Sequence, residues 1–221
     1  MILFLLAALA LQKPLDQGTL IVREDTAVIA RESFRLSEVG IGLSGRGWAL
    51  ASTTRYDRVR PIVTLAPILE LASDSQPLSL EFDVADPRAP LRLLGQSARG
   101  RFTVRLLGPR TERARESLLG AHTVVLDDSV YAPYTFVAWQ GRSEPVAVTA
   151  LVPRAGRRET LLVQDRGLAA TTLNGDRVML RHISVAGGAN ELVHVWVGSR
   201  GELLKVEIPS RHLRIERQPP A

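Results

Sequence analysis

The chain has no cysteine, only two lysines and few aromatics (3 Trp, 3 Tyr, 5 Phe) in 221 residues. Without thiols there is no disulfide scaffold, no thiolate metal centre and no acylated cysteine of a lipid-anchored lipoprotein. The scarcity of aromatics, with no stacking motif of an RNA binder, argues against a nucleic-acid partner despite a net charge of +5 and a pI near 10.3. No HExxH or HxH spacing links His122, His182, His194 and His212, so no metal site is expected. A symmetric hairpin around Gly187-Gly188-Ala189-Asn190 pairs His182 with Val195 and Ile183 with His194, which puts the two histidines on opposite faces. A slip of one residue reverses that placement.

Long apolar runs are also missing, apart from Ile2 to Leu11, which is too short to span a bilayer. With Ala8-Leu9-Ala10 as a cleavage step, residues 1–12 resemble a secretory signal lacking the usual basic start, so the product is expected to be periplasmic or secreted.

What the chain does have is 45% hydrophobic residues, 23% charged, and 17 Gly with 13 Pro as punctuation. Short apolar runs recur between turn signals, which predicts an antiparallel all-β fold over 18–218. The predicted strands are Thr19 to Arg23, Val28 to Leu36, Trp48 to Tyr56, Ile62 to Leu71, Leu78 to Val84 and Arg101 to Leu107. A second series comprises Thr123 to Leu126, Val146 to Val152, Thr160 to Gln164, Leu168 to Leu173, Arg177 to Val185, Leu192 to Val197, Leu203 to Ile208 and Leu213 to Arg217. Asn174-Gly175 predicts a type I′ hairpin turn, because both residues tolerate positive φ. Ser199-Arg200-Gly201 predicts a second hairpin and a C-terminal meander.

One stretch reads differently. Asp127 to Trp139 predicts a helix near 128–140, with Asp128 or Ser129 as its N-cap and Pro133 in its first turn. It gathers Tyr131, Tyr134, Phe136 and Trp139, more rings than one helical stripe can hold. Part of that surface is therefore expected to cover the sheet and part to line an apolar cavity as a lid. Gly40-Ile41-Gly42-Leu43-Ser44-Gly45 has the letters of a dinucleotide loop, but a strand-like run follows it and no acidic residue stands at the proper distance. It reads as a glycine-rich hairpin turn. Asp127 and Asp128 are adjacent, which suits a helix N-terminus better than an acid and base flanking a substrate. Ser129 lacks a nucleophile elbow.

Between 86 and 116, Arg88, Arg92, Arg99, Arg101, Arg105, Arg110, Arg113 and Arg115 face only Asp86, Glu112 and Glu116. Arg99, Arg101 and Arg105 alternate with Phe102, Val104 and Leu106, a half-exposed strand with arginines in water. They form a candidate basic patch for a membrane surface or an envelope protein partner.

Three stretches carry a family resemblance. They are Gly18 to Arg23 with Ala30 to Leu36, then Leu126 to Ser129 before the aromatic helix, and Val195 to Pro209 around Gly198-Ser199-Arg200-Gly201. Together they resemble uncharacterised exported bacterial β proteins grouped with the periplasmic lipoprotein carriers LolA and LolB. The resemblance implies a curved antiparallel sheet, a half-barrel with one or two covering helices, enclosing acyl chains. It implies a non-enzymatic binding or carrier role for a lipid or other apolar ligand, with no cofactor and no catalytic residue. The alternative is an envelope interaction or scaffold protein with a filled core. A hydrolase assembled from scattered Asp, His and Ser residues is the further class to test.

Overall fold

Alternating burial along nearly every strand explains why the chain curls, since one face of each strand must leave water and the other need not. In the computed structural model, which describes residues 14–41, 45–187 and 191–219, fifteen strands form one sheet. The first eight are β1 (Pro14–Glu24), β2 (Ala27–Ile41), β3 (Gly45–Tyr56), β4 (Val63–Ala72), β5 (Pro77–Ala85), β6 (Leu91–Ala98), β7 (Arg101–Leu107) and β8 (Glu112–Leu118). Then come β9 (Thr123–Val125), helix α1 (Tyr134–Gln140), β10 (Val146–Val152), β11 (Arg157–Leu173), β12 (Asp176–Ala186), β13 (Leu192–Val197), β14 (Leu203–Ile208), a 3₁₀ turn Pro209–Arg211 and β15 (Leu213–Arg217).

The order β8-β7-β6-β5-β4-β3-β2-β1-β15-β14-β13-β12-β11-β10-β9 is two meanders joined where β1 pairs antiparallel with β15, Val22 opposite Ile215. The curved sheet stays open between β8 and β9, and all neighbours are antiparallel except β9 with β10. Its inner face carries Leu20, Val22, Phe34, Leu50, Leu69, Leu93, Phe102, Val163, Ile183, Val195 and Ile215, all buried in one apolar cluster. Phe136, Val137 and Ala138 of α1 belong to that same cluster. The helix therefore fills the hollow of the sheet.

The expected antiparallel all-β architecture is present, with differences that have physical causes. Asn174 (φ 52) and Gly175 (φ 98) make the β11–β12 turn, and Gly201 (φ 81) closes the β13–β14 turn. The two runs 160–164 and 168–173 are one bent strand, β11, whose register slips between Asp165 and Leu168 around Gly167 (φ 74). β6 was not expected, because Gly95, Gln96 and Ser97 dilute its pattern. Gly95 is there because a Cβ would come within 2.7 Å of the Phe102 ring. β8 was not expected either, since six of its seven residues are exposed and it has no apolar stripe to read. The apolar run 2–11 and residues 42–44 of the glycine-rich loop lie outside the described residues. Among the described residues no helix is long and apolar enough to cross a membrane.

Candidate functional site

The segment from Leu126 into α1 crosses the inside of the sheet and is held by charges the sequence reading did not assign. Glu32, on the inner face of β2 and 0% exposed, accepts hydrogen bonds from the backbone N–H of Tyr131 (2.7 Å) and Ala132 (3.0 Å). Burial pushes its carboxyl up to about 7 from 4.5, against the lowering effect of those two N–H groups. The hydroxyls of Ser52 and Thr54, on the facing strand β3, lower it further. Both are buried and neither is aligned for a full hydrogen bond. Nearby, the Tyr56 hydroxyl donates to the Ser129 carbonyl (2.9 Å). The one signal for Glu32 in the sequence was an acidic residue standing among apolar inner-face positions.

The expected helix cap is corrected. α1 begins at Tyr134, later than a start near 128, with Pro133 as N-cap and no side-chain cap bond. Asp127 instead takes a two-pronged salt bridge from Arg154 (2.7 and 2.8 Å) and accepts the Ser129 N–H (2.9 Å). Asp128 is bridged by Arg157 (2.7 and 3.0 Å), which holds its carboxyl below the ordinary value. A guanidinium in reach outcompetes helix N–H groups for a carboxylate. The two carboxylates are therefore tied to arginines at the β10–β11 end, and both residues line one small recess beside Tyr131 and Tyr134.

The four predicted rings divide between the interior and two recesses. Tyr131 and Phe136 are each 1% exposed and belong to the core. Tyr134 and Tyr131 reach a recess of about 40 Å³ shared with Asp128, Glu191 and Arg211, and burial pushes both phenols up. Trp139, at the other end of α1, meets Trp48 edge-on at 5.4 Å and Phe136 at 5.2 Å. Trp139 and Trp48 line a half-open recess of about 430 Å³ with Leu15, Leu36 and Thr135. A longer groove of about 890 Å³ shares Arg200 and Glu202 with it and runs past Phe34, Leu204 and Arg217 to the β11–β12 turn. Arg217 lies 5.3 Å above the Phe34 ring and pairs with Asp16 (2.6 Å). Trp48 was missed because it lies some ninety residues from Trp139 and only the curl of the sheet joins them.

The basic stretch is partly neutralised. Arg101 pairs with Glu116 and Arg105 with Glu112, both on β8, while Arg92 meets Glu81 and Asp83 on β5. Arg99 sits in the β6–β7 turn at φ 50. The histidine placement is corrected as well, because the register is one residue from the symmetric one. His182 lies opposite Trp196 and Ser184 opposite His194. Both histidines therefore share the outer face, where Nε2 of His182 is 2.9 Å from Nδ1 of His194 and the His182 ring stacks on Trp196 at 4.3 Å. Burial, then the neighbouring His194, lowers the His182 pKa. No group of three or more metal-ligating side chains occurs among the described residues.

No protein-family model matches the chain, and no curated protein does. A solved structure is similar, a β-barrel-like protein of domain of unknown function DUF1849 from Brucella abortus. It superposes with a TM-score of 0.52 over 93% of this chain and 97% of that one, at 10% sequence identity, which is a likeness of fold.

Proposed function

We propose that the protein is a non-enzymatic binding or carrier module that holds a lipid or another apolar ligand in the recess between Trp48 and Trp139. The observation that carries this reading is the paired indoles lining a recess of about 430 Å³ that adjoins a longer groove. Binding sites for small molecules commonly have volumes of about 300–1,000 Å³ and mostly apolar walls. Each methylene withdrawn from water there contributes about 0.8 kcal/mol, so an acyl chain needs no dedicated polar contact. The charged rim, Arg217 with Asp16 and Arg200 with Glu202, suits a polar head at the groove. The apolar run 2–11, read as a secretory signal, supports action in the periplasm or outside the cell.

The filled hollow favours a second reading, an envelope interaction protein with no small ligand, since Phe136 and Val137 occupy the space that a carrier would give to acyl chains. One experiment separates the two. Protein expressed with its own leader and purified without detergent is extracted for mass spectrometry, and the delipidated protein is titrated with a fluorescent fatty acid such as cis-parinaric acid. The carrier reading expects a co-purifying lipid and saturable binding at one site. It expects Trp139→Ala to weaken binding at least about tenfold while the unfolding midpoint moves little. A clean extract with no saturable binding leaves the interaction protein, and equal loss of binding and stability removes the site from Trp139.

A further inference from the structure

β8 is an unusual strand in this sheet. Its seven residues pair with β7 without a register shift, from Arg101 opposite Leu118 to Leu107 opposite Glu112. Among the described residues no strand pairs with its other edge, and only Ser117 of its residues is not exposed. The flanking bonds, Leu119 N–H to Gly100 carbonyl and Gly108 N–H to Thr111 carbonyl, fix the phase of the ladder. In an antiparallel pair the residues exchanging hydrogen bonds alternate, so Arg113, Arg115 and Ser117 point their backbone groups at β7. The N–H and C=O of Glu112, Ala114, Glu116 and Leu118 therefore point away from the sheet. Edges of this kind are normally blunted by a proline, a bulge, a covering loop or inward-pointing charges; β8 has no proline and no bulge, and its inward-pointing Arg113 and Arg115 repel a basic strand while leaving the edge open to one that neutralises them.

The side chains say which partner the edge fits. Glu112 and Glu116 are already paired with Arg105 and Arg101 on the outer face. On the inner side, Arg113 and Arg115 have no carboxylate partner among the described residues. Arg115 lies over Gly156 of the β10–β11 turn, beside Arg157 and Arg158 and a small recess of about 60 Å³. A second copy added antiparallel about the middle of β8 sets Arg115 opposite Arg115, and like charges directly opposite oppose pairing. We propose that β8 is a docking edge that receives an extended acidic segment of another protein as an added antiparallel strand. The edge supplies main-chain hydrogen bonds, and alternate carboxylates of the partner face Arg113 and Arg115.

The test uses a blocked, fluorophore-labelled peptide of about nine residues alternating glutamate and valine, followed by anisotropy against the whole protein. Saturable binding that weakens with salt is expected, and the matching lysine–valine peptide should bind at least about tenfold more weakly. Ala114→Pro removes an outward N–H and leaves the β7–β8 ladder intact, so it should cut binding at least about tenfold with an unchanged melting midpoint. As a check needing no protein variant, methylating the backbone nitrogens on one edge of the peptide should abolish binding, and methylating the other edge should leave it. Arg113→Glu with Arg115→Glu should reverse the preference between the two peptides. The proposal is overturned by no saturable binding, by equal binding to Ala114→Pro, or by self-association of the protein that Ala114→Pro removes, which would make a second copy the occupant.

Discussion

Glu32 ties the crossing segment to the sheet, and the cost of keeping its charge out of water makes stability depend on pH. Its folded value of about 7 lies above the ordinary 4.5, so the folded state binds the proton more tightly than the unfolded chain between those two. This group's contribution is then greatest below pH 4.5 and is lost as pH rises through 7, by at most roughly 3 kcal/mol. Glu32→Gln cannot titrate, and its amide NH₂ faces one of the two backbone donors, a mismatch costing about 1–3 kcal/mol at any pH. Urea unfolding should therefore show a gap between wild type and Glu32→Gln that is wide at pH 5 and narrow at pH 8; a gap that does not change would show that Glu32 does not titrate there. The His182 shift has the opposite sense. Its lowered value means the folded state resists the proton, and an NMR titration should place its midpoint below the ordinary 6.5. Neither group was legible as special in the sequence. Glu32 earns its role from Tyr131 and Ala132, about a hundred residues away, and His182 from a register that a shift of one residue decides.

Elements with a clear periodic face were legible, and those whose face is absent or divided were not. β4 alternates buried and partly exposed residues along its length and was found almost to its ends, whereas β8 has no buried face and was invisible. The aromatic helix was recognised, but its start was misplaced because the acidic pair that resembles a cap is claimed by Arg154 and Arg157 from across the fold. Its four rings do unequal work. Phe136, fully inside, should cost about 3–5 kcal/mol when cut to Ala in a denaturant titration, and Trp139, which borders the open recess, clearly less. Equal costs would place both rings in the core. At the β11–β12 turn, Asn174→Ala keeps a left-handed conformation that a Cβ disfavours and loses the bond from Asn174 to the Arg217 carbonyl (2.9 Å). A loss of about 1–2 kcal/mol is expected from the conformation alone.

Across the molecule, every ladder but the β1–β15 pairing joins strands that follow one another along the chain, and the break in the sheet falls at 119–122, between β8 and β9. Cutting there severs no ladder. A circular permutant beginning at Ala121 and ending at Gly120, with a short flexible linker joining the ends of the described chain, should fold with stability within about 2 kcal/mol of the original, measured by chemical denaturation. The bonds at risk are those from Gln76 to the Gly120 and Ala121 carbonyls and the two between Gly120 and Thr123 that span the cut. Removing β15 should instead abolish cooperative unfolding, because it parts the two meanders. Arginine supplies nearly all the positive charge, and Lys205 is the single lysine among the described residues. Its ammonium is bonded to the Thr172 carbonyl (2.7 Å), Thr171 (3.1 Å) and Glu207 (2.8 Å) beneath the β11–β12 hairpin. Amine-selective acylating reagents can therefore reach this side chain only after the hairpin lifts, so the rate at which Lys205 is labelled is a chemical clock for opening of the sheet.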